Sequence, residues 1–308
     1  MIRFGRSVLV AVLASSIHLG AETIRWVDVT AGSGVAESTV GLMGHGGAAG
    51  DFDNDGRPDI YVGGFSDRPR AEYAPAPGPV PALLLRNEGK GRFAAVQQPS
   101  IAAFARTSGA VFADLDNDGW LDLYVANNAQ AQSRGNEEPQ RSAKLQRSKL
   151  LRNERGTFTD VSERGACPDT LLTVRNVGVF DYDADGLLDL FVVEDRFRKG
   201  GSRSLLLRNR GDFRFEIANA NAGLPDDIFG LGLAVADVNA DGRPDFFVPH
   251  SNRLFLSQPG NRFREATELS AVFAYTPQGG EDWPCGAAFG DLNRDGLLDL
   301  VVSAHSVR

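Results

Sequence analysis

A twelve-residue acidic segment occurs five times in this chain, and it restricts the fold more than any other feature. The first copy reads Asp51-Phe52-Asp53-Asn54-Asp55-Gly56-Arg57-Pro58-Asp59 and runs straight into Ile60-Tyr61-Val62. The others begin at Asp114, Asp181, Asp237 and Asp291. Side chains at alternate positions of a tightly curled loop point to one centre, and glycine at the sixth position permits the bend. The acidic set is Asp51, Asp53, Asp55 and Asp59 in the first loop. It is Asp114, Asp116, Asp118 and Asp122 in the second, and Asp181, Asp183, Asp185 and Asp189 in the third. The fourth and fifth loops carry Asp237, Asp241, Asp245 and Asp291, Asp295, Asp299, with Asn239 and Asn293 at the third position. The same curl turns the seventh-position carbonyl inward, at Arg57, Trp120, Leu187, Arg243 and Leu297. A cage of hard oxygens suits Ca²⁺ far better than zinc or copper. Up to five ions are expected, bound more weakly where Asn replaces Asp.

One such loop on its own reads equally well as a solvated turn, because Asp and Gly are ordinary turn residues. Recurrence of the ninth-position Asp in all five copies argues for the ion. An EF-hand is excluded, since that motif needs Glu at position twelve and flanking helices. Here position twelve is Val62, Val125, Val192, Val248 or Val302, within runs of β-branched and aromatic residues. The loop therefore joins strand to strand.

The loops start 63, 67, 56 and 54 residues apart, near the period of a four-stranded propeller blade. Four elements recur around each. A small-residue strand precedes the loop, as in Gly46-Gly47-Ala48-Ala49-Gly50, suited to crowding near an axis. A continuously apolar strand follows it, as in Leu123-Tyr124-Val125, suited to burial on both faces. Leu83-Leu84-Leu85-Arg86-Asn87 and its echoes at 150–153, 205–209 and 254–256 supply a third strand. An Asn/Gly turn then leads to an outer strand such as Phe158 to Val161. The expected fold is an all-β propeller of four-stranded antiparallel blades over residues 22–308. Its repeats lie near 46–97, 108–162, 176–218, 232–267 and 286–308. Residues 24–30 match the outer-strand pattern and are expected to complete the last blade, closing the ring and removing a free edge. A third-type strand is then still lacking, so a three-stranded last blade and a chain shortened from a larger propeller both stay open.

Residues 1–21 read as a secretory signal peptide, with Arg3 and Arg6 ahead of an apolar run from Ser7 to Leu19. That run is shorter than a membrane span requires. Export, to the medium, the periplasm or the cell surface, fits calcium, which is abundant outside cells. It also fits the charge: without the two arginines the formal −8 becomes −10, which five Ca²⁺ would balance. With 42% hydrophobic residues the chain can bury a large core. No basic stripe points to nucleic acid. Cys167 and Cys285 lie ahead of different repeats, and the sequence leaves open whether they pair.

The run Gly290-Asp291-Leu292-Asn293-Arg294-Asp295-Gly296-Leu297-Leu298-Asp299-Leu300-Val301-Val302 resembles an FG-GAP (VCBS-type) repeat, the calcium-loop blade of integrin α-chain propellers. Its combination with Leu-Arg-Asn and Phe-x-Asp-Val elements is similar to the cartilage acidic protein and UnbV-like group. The resemblance implies a β-propeller with calcium in the first hairpin of each blade. Such propellers commonly have seven blades, against five acidic loops here.

The expected role is a scaffold that binds a protein or glycan. Its variable joins, 66–82, 127–148 and 195–204, would gather on the face opposite the acidic loops. The alternatives are a secreted propeller enzyme of polysaccharide lyase or hydrolase type, or part of a larger adhesion protein. HExxH, G-x-S-x-G and P-loop signatures are absent from the sequence. Outside the signal segment the histidines are His45, beside a first strand, and His250 and His305, after second strands; they read as polar strand ends, with a cluster at a channel mouth as the alternative.

Overall fold

A computed structural model of the chain describes residues 27–129, 146–168, 173–195, 203–276 and 282–305. The expected signal segment and most of the second and third joins lie outside them. Among the described residues, eighteen strands form up-and-down antiparallel sheets. The first sheet is β1 (Gly44–Gly50), β2 (Asp59–Gly64), β3 (Leu83–Gly89) and β4 (Arg92–Val96). The second is β5 (Thr107–Ala113), β6 (Asp122–Asn127), β7 (Lys149–Glu154) and β8 (Thr157–Asp160). The third is β9 (Val174–Phe180), β10 (Asp189–Glu194), β11 (Leu205–Asn209) and β12 (Phe215–Ile217). The fourth is β13 (Ala234–Ala236), β14 (Asp245–Val248), β15 (Arg253–Gln258) and β16 (Arg262–Glu265). β17 (Trp283–Gly290) and β18 (Asp299–His305) form a two-stranded fifth sheet.

The sheets stack as blades through their first strands, β1 on β5, β5 on β9, β9 on β13 and β13 on β17. Small residues allow this. A Cβ on Gly46 would meet the Gly109 backbone nitrogen at 2.7 Å, and one on Gly232 would meet the Cys285 carbonyl at 2.4 Å. The second strands are buried on both faces: every residue of β6, β10 and β14 is buried. Their apolar side chains fill the spaces between blades. One cluster joins Tyr124 and Leu150 of the second sheet to Leu190 and Val192 of the third. Another joins Phe191 of the third to Phe246, Phe255 and Phe263 of the fourth.

β18 has no such cover among the described residues. Val301 and Val302 are 39% and 38% exposed, where Val192 and Val248 of the third and fourth sheets are 0% exposed. Residues 27–30 form no strand, and 24–26 lie outside the described residues. The segment that follows packs on the first blade, where Phe93 N–H of β4 donates to Ser33 O at 2.7 Å. Phe263 N–H and Ala222 O make the same contact at 2.8 Å at the entry to the fourth blade.

Two local readings shift. The outer strand of the third repeat, which the Phe213–Ile217 run predicts from Phe213, begins only at Phe215, because Asp212 and Phe213 both adopt positive φ, at 52° and 57°. The hairpin spends two extra residues tucking the Phe213 ring into the core. The Pro-rich join at 66–82 contains an ordered 3₁₀ turn, Arg70–Tyr73. Buried Tyr73 donates its hydroxyl to Phe65 O at 2.9 Å and anchors the join.

Candidate metal centres

Each acidic loop connects the first strand of a sheet to the second, so all five occupy one homologous place. The loops are folded by their own carboxylates. In the first, Asp51 accepts the Asp55 and Gly56 N–H groups at 3.0 and 2.7 Å, and Asp55 Oδ1 accepts Arg57 N–H at 3.0 Å. The same set recurs around Asp114, Asp181, Asp237 and Asp291. The Asn side chains at the third position take up part of it: Asn239 and Asn293 accept the N–H of Asp241 and Asp295. Position six is left-handed in every loop, φ 82–86°, which fits glycine. Position four is also left-handed, at Asn54, Asn117, Ala184, Ala240 and Arg294, φ 56–63°. The sequence reading missed this, although Asn tolerates that region well. The two asparagines use it: Asn54 and Asn117 donate to the carbonyls of Gly119 and Gly186 in the next loop, at 3.0 and 2.9 Å.

The ninth-position Asp is a different kind of residue. Asp59, Asp122, Asp189 and Asp245 are fully buried at the start of the second strand. Each accepts a backbone N–H from loop position two and another from the third strand. For Asp122 these are Leu115 at 2.9 Å and Asn153 at 2.8 Å. Burial outweighs those bonds and pushes the Asp122 and Asp189 carboxyls up to about 7. Asp299 accepts only Leu292 N–H among the described residues, since no third strand lies beside β18 there.

Positions one, three and nine converge. In Asp51/Asp53/Asp59, Asp114/Asp116/Asp122 and Asp181/Asp183/Asp189, one oxygen from each carboxylate lies within 4.8 Å of the other two. In each trio the third-position Oδ1, of Asp53, Asp116 and Asp183, is buried with no hydrogen-bond partner. Burial and the neighbouring carboxylates hold these three Asp above the usual carboxylate range. A buried, unpaired oxygen among like charges is costly unless a cation is near. The donor set therefore fits a hard divalent ion. The fifth-position Asp is not part of these trios. Its Oδ2 pairs with a guanidinium: Arg57 on Asp55, Arg152 on Asp118 at 3.5 Å, Arg208 on Asp185 at 3.0 Å and Arg243 on Asp241 at 2.6 Å.

The Asn of the Leu-Arg-Asn strand, read from sequence as a turn signal, stitches blades together. Asn153 is fully buried, and its amide donates to Phe52 O of the preceding loop at 2.7 Å and to Leu121 O at 2.9 Å. Asn209 repeats this with Leu115 O and Leu188 O. Nothing in the linear pattern shows which carbonyl lies opposite.

On the other face, His45 stacks on Phe65 with ring centroids 4.3 Å apart, and Arg106 sits over the same ring at 4.3 Å. The protein around His45, with Arg175 and Arg106, drives its pKa down to about 4. His305 is near enough to act on it electrostatically, whereas His250 packs against Phe229 and Trp283. Both cysteines are free. Cys167 is half-buried beside Tyr124, and burial of its sulfur pushes the thiol up to about 12.

The description "FG-GAP-like repeat" matches residues 63–125 and 181–248, which contain the second, third and fourth loops. Cartilage acidic protein 1 of Homo sapiens is 28% identical over 171 residues, 54% of this chain and 22% of that protein. Its Mus musculus counterpart is 28% identical over 284 residues, 84% of this chain and 40% of that protein. The chain thus spans less than half the length of the curated relatives it matches. Among solved structures, the V. cholerae biofilm matrix protein Bap1 aligns with a TM-score of 0.40 at 16% identity, over 85% of this chain and 35% of that one. A Bacillus licheniformis rhamnogalacturonan lyase aligns at 0.44 and 13%, over 85% of this chain and 46% of that one. With its strand-loop-strand acidic repeats in stacked four-stranded sheets, the chain carries FG-GAP-like repeats and is similar to cartilage acidic protein 1.

Proposed function

We propose that this protein is an exported scaffold held together by structural Ca²⁺, binding a protein or glycan on the face opposite its acidic loops. The observation that carries the metal reading is the trio of carboxylates with one buried, unpaired oxygen, repeated at one place in three sheets. The ligands would be the Asp and Asn at positions one, three, five and nine and the carbonyl at seven. Asp51 and Asp59 already have both oxygens engaged by backbone N–H groups, so the loop is formed before an ion arrives. Each carboxylate oxygen keeps a further lone pair for the metal. Bound Ca²⁺ supplies positive charge to this centre. Because the unfolded chain has no such cage, binding adds to folding stability.

The test is metal analysis of the purified protein with a thermal melt in Ca²⁺ and in EGTA. We expect three to five Ca²⁺ per chain and a melting temperature at least about 10 °C lower in EGTA, since one site at a hundred times its Kd adds about 2.7 kcal/mol. An unchanged melt refutes the structural role. Export rests on residues 1–21, and the N-terminal sequence of protein recovered from an export-competent host should begin near Glu22. No described helix is long and apolar enough to cross a membrane. The partner reading rests on the joins after β2, β6 and β10, which share one end of the sheets away from the acidic loops. A glycan array and a pull-down, each repeated with the 66–82 join replaced by a short Gly-Ser linker, test it. Binding that survives the replacement of this join and of the 195–204 join would move the partner elsewhere.

A further inference from the structure

The four complete blades neutralise their acidic loops in two different ways. In the first and fourth, the guanidinium comes from position seven of the loop itself. Arg57 and Arg243 each sit on the fifth-position Asp alone. In the second and third, position seven is Trp120 or Leu187, and the guanidinium comes from the third strand. Strand register explains the reach. Leu123 pairs with Leu151 and Leu190 with Leu207, so Arg152 and Arg208 stand opposite Asp122 and Asp189. Arg152 Nη2 lies 3.1 Å from Asp116 and 3.5 Å from Asp118. Arg208 Nη2 lies 2.6 Å from Asp183 and 3.0 Å from Asp185. One nitrogen thus bridges positions three and five, and position three is the residue with the orphaned buried oxygen. The equivalent residue of the first blade, Arg86, turns to Glu88 instead, and the fourth blade has Leu256 there.

We infer that Arg152 and Arg208 are tethered counter-cations that compete with the divalent ion for the second and third loops. These two loops therefore hold their shape without metal and bind it more weakly than they otherwise would. The inference rests on the calcium reading above. Its physical basis is that each arginine is held mainly by the loop carboxylates. Arg152 Nε and Arg208 Nε have no hydrogen-bond partner, and their contacts to Glu154 and Glu216 are long, at 3.5 and 4.0 Å. A guanidinium held in this way can be released when the fifth-position carboxylate turns to a metal ion. If it stays, like charges share the loop, and a separation of about 5 Å serves for the Coulomb arithmetic. Repulsion at that distance in a water-like dielectric is worth about tenfold in affinity.

The test uses the full chain with Arg152→Gln and Arg208→Gln, singly and together, and Arg86→Gln as control. Calorimetric Ca²⁺ titration of the double variant should show two sites tightened about tenfold. Its melting temperature in EGTA should fall below wild type, and the control should change neither. A merely structural role would weaken both properties together, so the opposed signs identify competition. A second measurement needs no variant. In EGTA, wild-type amides of Asp114–Asp122 and Asp181–Asp189 should exchange more slowly than those of Asp51–Asp59. Unchanged or weaker Ca²⁺ affinity in the double variant, or equal exchange in the three loops, overturns the inference while leaving the calcium reading intact. Wild-type protein that takes up no Ca²⁺ overturns both.

Discussion

Replacing Asn153 by Ala should destabilise the protein far more than the same change at Asn87, although both are the Asn of a Leu-Arg-Asn strand. The Asn153 amide nitrogen bonds Phe52 O at 2.7 Å and Leu121 O at 2.9 Å, and its oxygen accepts Gly156 N–H at 2.7 Å. These partners also fix the amide's orientation, since two carbonyls and one N–H allow only one assignment. Truncation removes three hydrogen bonds in a fully buried setting and leaves the Phe52 carbonyl of another blade unpaired. At roughly 1 kcal/mol per bond, more where a buried group is stranded, the loss is about 3 kcal/mol. Asn87 makes only two side-chain bonds, to Pro58 O and Gly89 N–H, both within its own blade and nearer solvent. Its loss should be about 1 kcal/mol. For a chain of this size the difference between the two variants is on the order of 4–8 °C in melting temperature. The assay is a thermal melt by circular dichroism in saturating Ca²⁺, with urea midpoints as a check. If Asn153→Ala melts within a degree or two of Asn87→Ala, the cross-blade bond to Phe52 is not a stabilising stitch and the reasoning fails.

Three further outcomes are expected. Ala184→Asn should stabilise by about 1 kcal/mol, because Ala184 sits at φ 57°, where Asn costs less and can reach the next loop as Asn117 does. A lower melting temperature for this variant would count against the latch. His45 has a folded pKa near 4 against an ordinary 6.5, so its contribution to stability is present above about pH 6.5 and is lost as pH falls toward 4. Its ring protons in NMR should therefore stay in the neutral position down to about pH 5, and a midpoint near 6.5 would refute the lowered pKa. Cys167, with its thiol pushed up to about 12, should resist iodoacetamide in the folded protein at pH 8 and react once the chain is unfolded in urea, as read by mass spectrometry. Rapid alkylation of the native protein at Cys167 would contradict its burial.

The linear sequence determined what is local. Asp at alternate positions with Gly at the sixth makes a curled loop wherever it occurs, and the Val-rich runs after it make strands. Five copies at near-constant spacing then dictate stacked antiparallel blades, because each blade alone leaves both faces of its apolar second strand uncovered. Tertiary structure decided what depends on neighbours distant in the chain. One oxygen of Asp183 is buried without a partner while the third strand brings Arg208 to the other. Asn153 serves the loop of a different blade, 101 residues away. Two extra residues at Asp212 and Phe213 bury a ring that the pattern had placed in a strand. Hydrogen bonds and charges act over a few ångströms of space, and only the packed fold determines which residues are that close.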